Sequence, residues 1–136
     1  MTGLYVLGGA VVLTAVLALV RARVEGRVRS RDGREDLRPL IPGEPGRHAT
    51  LLQFSSAFCA PCRATKRVLG EVAQLVPGVA HVEVDAESHL DLVRRLGILK
   101  TPTTLVLDAA GREVLRAAGQ PKKTDVLTAL GQALPS

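Results

Sequence analysis

Ser55-Ser56-Ala57-Phe58-Cys59-Ala60-Pro61-Cys62-Arg63 holds the only two cysteines of the chain, and a proline directly precedes the second. A strand-like run, Thr50 to Phe54, leads into it, and a helix-like run from about Pro61 to Val76 leads away. A thiol at such a junction lies near a helix N-terminus, where free backbone N–H groups and the helix dipole favour negative charge. That lowers its pKa and raises the fraction of reactive thiolate. Two cysteines one helical turn apart can also close into a disulfide, so the pair reads as a dithiol/disulfide redox site. The alternative is metal binding, which needs ligands from elsewhere in the chain. His48, His81 and His89 are available, but they form no second cluster with zinc-like spacing.

Around this stretch, 136 residues bound the chain to one domain with a short appendage. It is 46% hydrophobic but only 2% aromatic, with no Trp, so a core must rest on Val, Leu, Ile and Ala. Two cysteines are too few for a four-cysteine zinc site or for a disulfide-scaffolded secreted domain. The net charge of +5 is unevenly spread. Residues 21–34 carry six arginines against Glu25 and Asp32, whereas from His48 onward ten basic residues face eight acidic ones. A basic cluster beside an apolar segment points to a membrane surface and away from nucleic acid.

Residues 3–20 contain no charge. At helical rise they reach about 27 Å, the thickness of a bilayer's hydrocarbon core. A cleaved signal peptide would begin with a positive region and end in a small-residue cleavage site, and a buried core helix would show a polar face. Here no Lys or Arg precedes the run and arginines follow it directly, which predicts a membrane anchor over residues 1–22. Because Lys and Arg near a span stay on the cytoplasmic side, the anchor is expected to be single-pass with the rest of the chain in the cytoplasm. The exported face is the alternative. Residues 23–47 read as an Arg-rich and then Pro/Gly-rich tether, since Pro39, Pro42 and Pro45 with Gly43 and Gly46 forbid a regular helix. Within it, Leu37 to Ile41 could add an edge strand.

From residue 48 the pattern is α/β. Thr50–Phe54 is a short buried-type strand. The helix after it places Val68, Leu69, Val72, Ala73 and Val76 on one face before Pro77-Gly78 stops it. Val79 to Asp85 alternates as a strand with one core-facing side. Ser88 with Asp91 resembles a helix start, and Gly97 ends that helix. Thr103–Leu107 and Arg112–Ala117 form a hairpin about Asp108-Ala109-Ala110-Gly111, and Lys122–Leu134 is a last amphipathic helix. The order β-α-β-α-β-β-α predicts a mixed central sheet flanked by helices.

A CxxC at the first strand–helix junction of such a unit, Val84-Asp85 ending the next strand, Thr101-Pro102-Thr103-Thr104, and Gly119 before the last helix together resemble the thioredoxin family. The match covers about residues 49–134, making 48–136 a thioredoxin-like domain. Pro-Thr-Thr before an apolar strand and an Asp-x-x-Gly turn is most similar to the membrane-tethered, TlpA-like branch. The resemblance implies a protein-disulfide oxidoreductase without cofactor or metal, cycling through a Cys59–Cys62 disulfide. Cys59 is then the nucleophile and Cys62 the resolving thiol. Pro61 fixes φ in the first helical turn. Thr101 and a cis Pro102 form a loop against the thiols, and Phe58 and Ile98 are candidates for an apolar rim, with core as the alternative for either. Implied partners are protein or small-molecule disulfides, an upstream thiol/disulfide electron donor, and the bilayer through residues 3–20, with no nucleic acid. The alternatives are an exported-face reductase in cytochrome c maturation and a non-catalytic docking module at the membrane. The chain also departs from the family. Gln53 and His81 stand where thioredoxin carries a buried Asp and a Lys, so the usual titrating base is missing, and His81 is a candidate replacement. The family's first strand and helix look shortened, their place being taken by the Pro/Gly segment.

Overall fold

A computed structural model describes residues 1–24, 28–30 and 33–135. The chain begins with helix α1, Thr2–Val24, followed by the short strand β1, Val28–Ser30. The α/β unit then runs β2 (Ala49–Ser55), α2 (Ala60–Leu75), β3 (Val79–Asp85), α3 (Leu90–Leu96), β4 (Thr103–Leu107), β5 (Glu113–Ala118) and α4 (Lys123–Ala133). The sheet order is β1-β5-β4-β2-β3. Strands β2 and β3 are parallel, and the other neighbours are antiparallel. The sheet is therefore mixed, as the element order requires: a helical crossover returns β3 parallel to β2, and a tight turn returns β5 antiparallel to β4. In that turn the Asp108 carboxylate accepts from the backbone N–H of Ala110 and Arg112.

Strand β2 lies between β4 and β3 and is buried along its whole length. Successive side chains alternate between faces. Leu52 and Phe54 pack with Val82, Val84, Leu92, Leu96, Ile98, Leu105 and Leu107 on one face. Ala49 and Leu51 pack with Leu69, Val72, Val126, Ala129 and Leu130 of α2 and α4 on the other. Gln53 shares the parity of Leu51, so it projects toward α2. In register beside it, His81 partners Leu51 and Glu83 partners Gln53, which puts His81 and Glu83 on the α2 face as well.

Residues 33–47, read from sequence as part of a tether, are fastened to the domain. Gly33 N–H donates to Glu113 O and Leu37 N–H to Gly111 O, both at 2.9 Å. Arg38 grips the Asp36 carboxylate and reaches Ala109 O across the β4–β5 turn. Leu37 and Ile41 are buried in the α3-side core, only 3% and 8% exposed. No strand forms at Leu37–Ile41: Arg38–Leu40 is a 3-10 turn, and the added edge strand is β1, paired with β5. Proline and glycine exclude a regular helix here, but they do not prevent isolated apolar side chains from entering a core.

Helix α3 differs at its start. His89 occupies the N-cap position without a side-chain bond, while the Ser88 hydroxyl is engaged by Asp85. Its end follows expectation, with Gly97 in the left-handed conformation at φ 64° and Ile98 N–H returning to Val93 O.

Candidate active site

Cys59 is the N-cap of α2, with Pro61 in the first turn. Proline has no N–H to donate, and at this position none is required. The Cys59 Sγ accepts the Cys62 backbone N–H at 3.2 Å, as a capping side chain does. The two cysteines are disulfide-bonded, with Cα atoms 5.2 Å apart. Their environments differ: Cys59 is half-buried and Cys62 only 3% exposed. Of the two cysteines, Cys59 is thus the more accessible. A helix N-terminus with free N–H groups is a position that favours a thiolate over a thiol in general.

The loop before β4 closes the other side. The Thr101–Pro102 bond is cis. Thr101 Oγ1 and Ser56 Oγ are hydrogen-bonded at 2.8 Å, and Pro102 O accepts from Gly119 N–H at 2.7 Å. These bonds join the loop to the end of β2 and to the residue after β5. Phe58 has a positive φ of 57° and is fully exposed beside the disulfide. Ile98, open from sequence as rim or core, is core, 8% exposed after the left-handed turn at Gly97. Leu99 is the exposed neighbour, at 95%. Arg63 is exposed, and Lys66 is paired with Glu83 at 3.3 Å.

Beneath α2, Gln53 is fully buried and all its amide groups are used. Its Nε2 donates to Cys62 O and to Ser55 Oγ, each at 2.9 Å. Its Oε1 meets His81 Nε2 at 2.8 Å. The Ser55 hydroxyl in turn donates to Glu83 Oε2 at 3.3 Å. A carbonyl only accepts, so the Gln53 nitrogen must face Cys62 and its oxygen must face His81. His81 Nε2 must then carry a proton. Burial lowers the His81 pKa, against the pull of the Glu83 carboxylate and with a small push from Lys66, so the ring is neutral at neutral pH. Gln53 stands between His81 and Cys62, and a carboxamide does not titrate. Thr104, across from Gln53 in register on β4, keeps a buried hydroxyl with no hydrogen-bond partner among the described residues.

Sequence reading picks out Cys59, Cys62, Pro61 and Phe58 at the β2–α2 junction, Thr101 and Pro102 in the α3–β4 loop tied to it through Ser56, and Gln53 and His81 on β2 and β3, where Gln53 bonds Cys62 O. It misses Ser55, Ser56, Glu83 and Leu99. The alternation of β3 carries a signal for Glu83, since His81 and Glu83 share a face. Among the described residues no group of three or more His, Cys, Asp or Glu side chains could hold a metal ion.

The family model for the thioredoxin-like domain matches residues 43–134. Thioredoxin H-type 1 of Nicotiana tabacum is 28% identical over 86 residues, 63% of this chain and 68% of that protein. Thioredoxin H-type of Fagopyrum esculentum is 29% identical over 72 residues, 53% of this chain and 61% of that protein. In three dimensions the chain is similar to thioredoxin NaTrxh of Nicotiana alata, with a TM-score of 0.58 at 21% identity, covering 69% of this chain and 98% of that one.

Proposed function

The chain belongs to the thioredoxin-like domain family, and from this premise we propose that it is a thiol-disulfide oxidoreductase that reduces protein disulfides through Cys59 and Cys62. The observation that carries the reading is the asymmetry of the pair: a half-buried Cys59 sulfur capped by a helix N–H, and a Cys62 one turn inside. In the dithiol form the Cys59 thiolate attacks one sulfur of a substrate disulfide. A Cys59–substrate disulfide forms and the other substrate sulfur leaves as a thiolate, which takes up a proton. Cys62 then loses its proton and attacks Cys59 Sγ. The intramolecular disulfide forms, the second substrate sulfur leaves, and two electrons have passed from protein to substrate. An upstream dithiol must return them. The cis-proline loop offers the Thr101 backbone to an extended substrate segment, and Phe58 offers an apolar contact beside it. Insulin reduction by the full chain in detergent, with dithiothreitol as electron source, tests this. The native protein should accelerate precipitation of the insulin B chain, and Cys59→Ser should fall to the uncatalysed rate. Equal rates in both proteins would reject the enzyme reading.

Helix α1 is long and apolar enough to cross a bilayer, and its flanks are exposed on every side. We read it as a membrane anchor, with the arginines of residues 21–34 holding the domain on the cytoplasmic side. Only residues 25–27 separate it from β1. Four Cα–Cα steps span at most about 14 Å, so the domain would work close to the headgroups. The cytoplasmic placement favours a reductant, since that compartment keeps thiols reduced. Alkaline phosphatase fused after residue 136 should be inactive and a cytoplasmic reporter active; the opposite pattern would place the domain on the exported face.

A further inference from the structure

We propose that His81, Ser55 and Glu83 are positioning residues that lock Gln53 in the one orientation in which its amide nitrogen holds the resolving cysteine, Cys62. The inference rests on the thiol-disulfide exchange proposed above and deepens it. The argument is one of hydrogen-bond sense. A carboxamide can turn over and exchange its oxygen for its nitrogen, and in most surroundings both orientations find partners. Here a flip would face the Gln53 oxygen toward Cys62 O, two acceptors 2.9 Å apart, and would turn its nitrogen to His81 Nε2, which an Nε2–H ring rejects and only an Nδ1–H ring accepts. The other arm enforces the same sense. Glu83 can only accept, so the Ser55 hydroxyl points its proton at Glu83 and leaves a lone pair for Gln53 Nε2. Lys66 occupies the second Glu83 oxygen at 3.3 Å, leaving Oε2 to Ser55. All donors run one way, from His81 through Gln53 and Ser55 to the carboxylate.

The consequence is mechanical. Cys62 O lies in the first turn of α2, and fixing it fixes the Cys62 side chain relative to Cys59 Sγ, the atom it must attack. No titrating group touches Cys62 through this chain, because Gln53 separates it from His81 and Ser55 separates Gln53 from Glu83. His81 thus acts as a hydrogen-bond donor to Gln53, and the base role open to it from sequence is not the one this geometry serves. Protonating its free nitrogen would leave Nε2–H in place, so the clamp survives on either side of the His81 pKa.

The test uses the reduced full chain in detergent and the aromatic disulfide 5,5′-dithiobis(2-nitrobenzoate) in stopped flow. Attack by Cys59 releases the first thionitrobenzoate, and resolution by Cys62 releases the second. In His81→Leu and Glu83→Leu the first phase should keep its rate and the second should slow by roughly ten- to a hundredfold, the scale of a misplaced reacting group. His81→Gln, which restores an N–H donor, and Glu83→Gln, which restores an acceptor for Ser55, should recover the native second phase. If His81→Gln is as slow as His81→Leu, His81 is a base and the proposal fails. If the Leu variants match the native protein, these residues position nothing and it fails again. Nitrogen NMR of the oxidised native protein gives a readout independent of turnover and of variant folding: His81 should be the Nε2–H tautomer, and an Nδ1–H ring would overturn the assignment. A native protein that releases no thionitrobenzoate would instead reject the underlying redox reading, with the tautomer still measurable.

Discussion

The Cys62→Ser protein should accumulate mixed disulfides with its substrates through Cys59, while Cys59→Ser should accumulate none. Both should lose steady-state disulfide reduction by roughly 10³-fold or more, since parts of one catalytic unit fail together. The asymmetry follows from position. Cys59 Sγ is half-buried at the helix terminus, receives the Cys62 N–H, and is the sulfur a substrate can approach. Cys62 is 3% exposed and reaches little besides Cys59. Removing Cys62 leaves the first attack intact and takes away only the escape from the mixed disulfide. A non-reducing gel of the two variants incubated with an oxidised peptide, followed by mass spectrometry of the adduct, checks this. Adducts on Cys59→Ser would exchange the two roles. Adducts on neither would return the pair to a structural disulfide and the domain to a docking role.

The parts of this fold that were legible in the sequence are those whose pattern repeats locally. Val79–Asp85 shows its alternation, α2 shows an apolar face that Pro77-Gly78 ends, and Thr103–Leu107 is a run of β-branched and apolar residues between turn signals. Strand β1 had no such signal. Val28-Arg29-Ser30 sits in an arginine-rich run, and what makes it a strand is the open edge of β5, a property of the assembled sheet. Leu37 and Ile41 were hidden by their neighbours for a related reason. Three prolines close by announce irregular backbone, which suggests a tether with at most an edge strand at Leu37–Ile41, although burial needs only two side chains to point the right way.

The site shows the same division. The cysteines and the Thr101-Pro102 loop are written in short motifs, and Gln53 and His81 were visible as departures from a family pattern. Their relation was not visible. It depends on the parallel register that sets Gln53 beside Glu83, and on α2 lowering Cys62 O onto the Gln53 amide. Ile98 and Leu99 illustrate how fine that limit is. After a single left-handed residue, Gly97, one of two adjacent apolar side chains enters the core and the other is left exposed.

A chain beginning at residue 48 should be far less stable than one beginning at residue 28, even though both contain every residue of the redox site. The α3 side of the sheet explains why. Its helix is only seven residues long and cannot cover β2, β3 and β4 alone. Leu37 and Ile41 fill the remainder, packing with Phe54, Leu96, Ile98, Leu105 and Leu107. Truncating one large aliphatic side chain in a core costs about 2–5 kcal/mol, and whole domains are stable by only about 5–15 kcal/mol. Losing both side chains, the Leu37–Gly111 and Gly33–Glu113 backbone bonds and β1 together should bring the domain near the limit of folding. Leu37→Ala alone, at about 3 kcal/mol, should lower Tm by roughly 10–20 °C for a domain of this size. Thermal unfolding followed by circular dichroism measures both effects. The loss should also reach function before the protein unfolds, because Leu96 and Ile98 lead directly into Lys100–Pro102, the loop hydrogen-bonded through Thr101 to Ser56 before the CxxC. If the chain from residue 48 melts at the same temperature as the chain from residue 28, residues 33–47 are a spacer after all, and the contacts of Leu37 and Ile41 contribute nothing to the fold.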